Sequence, residues 1–81
     1  MKTIDDIYDD LNDEQRNYVD AILNNKHTIR GLYFDKYYKN GGWNGMMDAM
    51  SEFEKMNNIE RPNFDDLEED VSITELLMEE F

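Results

Sequence analysis

The chain has 81 residues and a formal net charge of -12, from 20 Asp and Glu against 8 Lys and Arg. That length holds one domain, residues 1–81, which buries only about 60–65% of the surface its unfolded chain exposes and so excludes a large enclosed active site. A hydrophobic fraction of 40% and an aromatic fraction of 12% exclude a wholly disordered acidic tail.

The chain contains no cysteine, so neither a disulfide framework nor a thiolate metal site is available, and a reducing compartment is the natural setting. The first residues, Met1 to Asp6, lack an apolar signal core, and no run approaches the roughly 20 apolar residues that span a bilayer. The expectation is a soluble, cytoplasmic protein with no membrane contact. Nucleic-acid phosphates and anionic lipids repel so acidic a surface, so direct binding to either is disfavoured and a basic protein partner is favoured.

In chain order, Ile4, Ile7, Tyr8 and Leu11 recur at helical spacing, and Thr3 with Asp6 resembles a capping pair. The other face of this first helix carries Asp5, Asp6, Asp9 and Asp10. Asn12 offers an N-cap for a second helix with Asp13 and Glu14 in its first turn and a stripe of Val19, Ile22 and Leu23, ending near Asn24 and Asn25. His27 falls in the connection that follows. From Thr28 to Lys39 the run of Ile29, Leu32, Tyr33, Phe34, Tyr37 and Tyr38 fits a helix stripe, although its aromatic content also suits a strand; the spacing predicts helix.

Asn40-Gly41-Gly42 stops that helix. Asn44 is the predicted cap of the next, along which Trp43, Met46, Met47, Met50, Phe53 and Met56 keep helical spacing until Asn57-Asn58. Pro62 opposes resumption before it. An irregular acidic stretch then holds Asp65, Asp66, Glu68, Glu69 and Asp70, and Ser72 with Glu75 forms a capping box for a last short helix bearing Ile73, Leu76, Leu77 and Phe81. The predicted fold class is therefore all-α: four or five short helices around Trp43, Met47, Met50, Phe53, Ile22, Leu23 and Leu32, with an irregular acidic segment before the C-terminal helix and Leu77 and Phe81 docked on the core.

The charge is unevenly distributed. Residues 1–14 hold six acids and one base, residues 15–41 two and five, and residues 42–81 twelve and two, sums of -5, +3 and -10. The middle segment is expected to pair with one of the acidic ends. Four carboxylates along Ile4–Leu11 amount to roughly one charge per 3 Å of helix axis, and Asp65–Asp70 in extended form to about one per 4 Å. One DNA strand carries one per about 3.4 Å. Acidic runs on small proteins are commonly solvated faces that preserve solubility, but these densities also suit a surface that occupies a DNA-binding groove.

Other chemistries fare worse. His27 has no serine or cysteine plausibly placed beside it. Against the EF-hand pattern, Asn63 and Asp65 fit positions 1 and 3, but Leu67, Glu68 and Thr74 occupy positions 5, 6 and 12. Gly41-Gly42-Trp43-Asn44-Gly45 lacks the lysine and strand context of a phosphate loop. No catalytic, cofactor or metal site is read, and the chain is not expected to be an enzyme. Five tyrosines, Tyr8, Tyr18, Tyr33, Tyr37 and Tyr38, exceed what a small core holds with satisfied hydroxyls, and Tyr33, Tyr37 and Tyr38 among them are candidate interface anchors.

The segment Tyr38-Lys39-Asn40-Gly41-Gly42-Trp43-Asn44 followed by an acidic helix resembles a segment of the small bacteriophage anti-CRISPR proteins that mimic DNA, with one glycine more than the type II-A nuclease inhibitor it is similar to. The likeness covers about a quarter of the chain and, with the small size and acidity, is one of class. It implies a stoichiometric inhibitor of a CRISPR effector, restriction-type nuclease or other DNA- or RNA-binding protein, in which Asp5, Asp6, Asp9, Asp10, Asp65, Asp66, Glu68, Glu69 and Asp70 stand in for phosphates. The alternative is a non-mimic interaction module, such as an antitoxin or a phage assembly factor, that binds through Tyr33, Tyr37, Tyr38 and Trp43.

Overall fold

A computed structural model describes residues 3–67 and 72–81. Five α-helices follow one another: α1 (Ile4–Ile7), α2 (Asp13–Asn24), α3 (Lys26–Leu32), α4 (Gly42–Met56) and α5 (Ile73–Glu79). A 3-10 turn, Tyr8–Asp10, extends α1; a π turn, Tyr33–Tyr37, and a second 3-10 turn, Tyr38–Asn40, extend α3. Among the described residues there is no strand, so the predicted all-α class holds and residues 28–39 are helical in character. Nor is any described helix long and apolar enough to cross a membrane.

The ends of these helices follow from their residues. The Thr3 N–H donates to the Asp6 carboxylate at 2.8 Å, closing the first turn of α1. At α2 the predicted cap is reciprocal: the Gln15 N–H donates to Asn12 Oδ1 at 2.8 Å and the Asn12 N–H to Gln15 Oε1 at 2.9 Å. At α5 the Glu75 N–H donates to Ser72 Oγ. The end of α4 uses Asn58 in the left-handed conformation (φ 53°). There the Ile59 N–H reaches back to the Glu54 carbonyl at 2.9 Å and the Asn58 N–H to that of Lys55 at 3.4 Å, the paired bonds of a Schellman closure. This turns the chain out of α4 and sends it back across α2.

Two sequence expectations are corrected. The start of α4 is set by Gly41, whose φ of 88° suits glycine, so Asn44 lies inside the first turn rather than capping it. His27, expected in a connection, is an exposed residue of the first turn of α3, because that helix begins directly after Asn25.

The core takes Ile4, Ile7 and Leu11 from the N-terminal segment, Tyr18, Val19 and Ile22 from α2, Ile29 from α3, Ala49, Met50 and Phe53 from α4, and Leu76 and Leu77 from α5. Leu23, Leu32 and Phe81 pack at its edge. Trp43 departs from expectation at 47% exposure, and Met47 is only half-buried. The reason is a close approach at Gly45, which sets which face of α4 meets α3. A Cβ on Gly45 would fall onto the Tyr37 carbonyl oxygen and within 2.7 Å of the Tyr33 ring. With Gly45, Ala49, Met50 and Phe53 turned inward, the Trp43 side of the first turn faces out.

Gly45→Ala should therefore destabilise the fold by about 1–3 kcal/mol through overpacking against backbone. Gly31→Ala, at an exposed site in α3 with nothing within 4 Å of the added carbon, should stabilise it by about 0.5–1 kcal/mol. Urea denaturation of both variants checks the pair.

Candidate functional site

Asp5 and Asp6 lie in the first turn of α1, and Asp9 and Asp10 in the 3-10 turn after it; all four are exposed. The cation that α2 brings to this segment, Arg16, holds backbone oxygens rather than carboxylates. Arg16 of α2 lies over the Tyr8 ring, 5.6 Å from its centroid. It donates through Nε to the Tyr8 carbonyl at 3.1 Å and through its terminal nitrogen to the Asp9 carbonyl at 2.9 Å. It thus satisfies the carbonyls at the end of the segment and leaves the Asp9 side chain outward. Tyr8 itself donates its hydroxyl to both oxygens of Asp20 at 2.9 Å, a bond that raises the phenol's pKa.

Leu11 and Asn12 are extended, so Asp10 stands at most about 11 Å in Cα spacing from Asp13 at the start of α2. Asp13 and Glu14 are exposed in the first turn of α2, where the unpaired N–H groups and dipole of a helix favour anions. The second cluster arrives at the same place from the far end of the chain. Gln15, only 1% exposed, donates through Nε2 to the Asn63 carbonyl and to Asp66 Oδ1, both at 2.9 Å. Asn63 Oδ1 accepts the Asp65 N–H at 2.7 Å, which folds residues 63–65 into an Asx turn. Asn12, Gln15, Asn63, Asp65 and Asp66 line a hollow of about 420 Å³.

Sequence reasoning identified the Asn12 cap but missed Gln15 as the joint. Its signal was a capping-box glutamine, and half of its bonding capacity is used forty-eight residues away. Asp65 and Asp66 are exposed and line the hollow at the start of α2; Glu68, Glu69 and Asp70 lie outside the described residues. Among the described residues no group of three or more His, Asp or Glu side chains is arranged to hold a metal ion.

A second, part-buried joint holds the segment that leads to the hollow. Tyr18, 3% exposed, donates its hydroxyl to Glu54 Oε2 at 2.6 Å, and Arg61 Nε donates to the same oxygen at 2.8 Å. The ring of Phe64 lies 6.0 Å from that of Tyr18. Burial, and then the hydrogen bond to Glu54, push the Tyr18 phenol well above its ordinary pKa of 10.0.

The aromatic candidates separate. Tyr37 is half-buried and donates its hydroxyl to Glu52 at 2.9 Å, beside an ion pair of Lys36 with Glu52 at 3.1 Å. The Tyr37 hydrogen bond, followed by that of Lys36, holds the Glu52 carboxyl below its ordinary range. Tyr38 is 62% exposed and Phe34 is 59% exposed. Their rings, 5.9 Å apart, form a cluster with Tyr33. Phe34, absent from the sequence-derived site, replaces Tyr37 on the surface. Of the five bases in residues 15–41, Lys36 makes an ion pair with the acidic C-terminal part of the chain, and Arg16 engages backbone carbonyls instead.

Comparison with protein-family models, with curated proteins and with solved structures finds no match to this chain.

Two measurements test these joints. Gln15→Ala strands the Asn63 carbonyl and opens the hollow, and should cost about 1–3 kcal/mol in urea denaturation. A phenol whose pKa is raised in the folded state contributes stability that is whole below the unfolded value, near pH 10, and is lost as pH rises through the folded value. Stability should therefore fall above about pH 10, and Tyr18→Phe should be less stable at neutral pH yet show a shallower alkaline decline.

Proposed function

We propose that this protein is a stoichiometric inhibitor that engages a basic, nucleic-acid-binding protein, such as a nuclease, by presenting its acidic edge in place of phosphates. The observation that carries the reading is the junction at Gln15, which brings Asp66 and the neighbouring Asp65 to the first turn of α2, the turn that holds the exposed Asp13 and Glu14. Residues more than fifty positions apart in sequence thereby meet at one helix start. The spacing supports it too. With α1 at about 1.5 Å and the 3-10 turn at about 2.0 Å per residue, four carboxylates occupy about 12 Å, close to the charge density of one DNA strand.

The mechanism is competitive occupation. A field of this sign steers a basic groove to it quickly, and the complex excludes nucleic acid from the same groove. Because the carboxylates are held by helix starts and a turn rather than by a floppy tail, little ordering entropy is lost on docking.

Capture from a bacterial lysate on the tagged protein, washed in parallel at low and high salt, tests the reading. The expected catch is a DNA- or RNA-binding protein that elutes with salt and is displaced by duplex DNA. With that partner purified, Asp9, Asp10, Asp65 and Asp66 changed together to Asn should weaken binding by roughly 1–4 kcal/mol, from about 0.2–1 kcal/mol per exposed pair. A partner retained equally at high salt and by the neutralised variant would sink the mimicry reading and assign binding to an aromatic surface.

A further inference from the structure

We infer that the ring cluster at the end of α3 is the face through which two copies of this chain associate about a two-fold axis. Phe34 and Tyr38 are two of the most exposed large apolar side chains in the described structure, at 59% and 62%. They are preorganised rather than loose. Tyr33, half-buried and seated against Gly45, meets the Phe34 ring edge-on at 5.1 Å and the Tyr38 ring at 5.9 Å. A rigid apolar platform of this kind on a small protein marks an interaction surface.

Its charge pattern says what covers it. The chain carries -12 overall, so copies repel one another over most of their surface. At the cluster itself the charges balance. Lys36 is matched by Glu52 within the same molecule, leaving exposed Asp35 beside Phe34 and exposed Lys39 beside Tyr38. The rings of Phe34 and Tyr38 meet across this turn, and Asp35 and Lys39 each follow one of them in sequence. A two-fold axis through the rings lays this segment antiparallel on its counterpart. Phe34 then stacks on Tyr38 of the second copy, and Asp35 meets Lys39 in both directions, the self-complementary pattern of an isologous contact. A nucleic-acid strand fits this face less well, because its cations are few and one is already paired. A strongly basic protein would meet Lys39.

Sedimentation velocity from micromolar to submillimolar concentration, with circular dichroism to verify folding, provides the test. The unmodified protein should dimerise with rising concentration. Asp35→Lys alone and Lys39→Asp alone each place like charges opposite one another twice and should be monomeric; mixed in equal amounts, the two variants should form a heterodimer. Tyr38→Ser should also remain monomeric. An unmodified chain that stays monomeric throughout, single charge variants that dimerise normally, or a mixture that fails to associate would each overturn the inference. Changing Asp9, Asp10, Asp65 and Asp66 together to Asn should leave dimerisation intact, so failure of the dimer and failure of the acidic-edge reading are separately visible.

Discussion

The fold depends on one shared oxygen. Glu54 Oε2 accepts from the Tyr18 hydroxyl of α2 and from Arg61 of the returning segment, so three stretches of chain meet at one carboxylate in a largely apolar setting. Hydrogen bonds to a charged acceptor are the stronger kind, and a buried partner left alone would bear its full desolvation cost. Each group therefore holds the others in place. The Schellman closure at Asn58 aims the chain towards this point, Ile59 and Phe64 pack beside it, and only then can Gln15 collect the Asn63 carbonyl and Asp66. The acidic edge is a product of this sequence of constraints.

A chain with so many carboxylates must tolerate its own repulsion. It does so by spacing and by helix ends. Asp5 and Asp6 lie in the first turn of α1, Asp13 and Glu14 in that of α2 and Glu75 in that of α5, where helix N-termini favour anions. The cations are used economically: Arg16 holds carbonyls and a ring, Arg61 holds the buried joint and Lys36 holds Glu52. Asp5, Asp6, Asp9, Asp10, Asp13 and Glu14 are left exposed to solvent.

The aromatic end has a different logic. The π turn at Tyr33–Tyr37 adds a residue to the helical winding and sits opposite Gly45, where α4 comes closest. Tyr33 fills the contact and Tyr37 finds Glu52, so Phe34 and Tyr38 are turned outward. Interruptions of this type often accompany function, and here the interruption separates two adjacent pairs of rings into one that binds inward and one that faces out.

The sequence by itself determined the helices and most of their ends, because capping pairs, the Gly41 stop and the apolar stripes are local chemistry that acts within three or four residues. Class, element order and the burial of Ile22, Met50, Phe53 and Leu77 followed from that. Periodicity could not say which of Tyr37 and Phe34 would face out, nor that Trp43 would be half-exposed, because both depend on how closely α4 approaches the π turn, and that distance is set by the missing side chain of Gly45. Nor could local chemistry show that Asp65 and Asp66 reach the start of α2. That neighbourhood is made by Gln15 and by the Tyr18, Glu54 and Arg61 joint, bonds between residues far apart in sequence whose partners become defined only when the helices are packed.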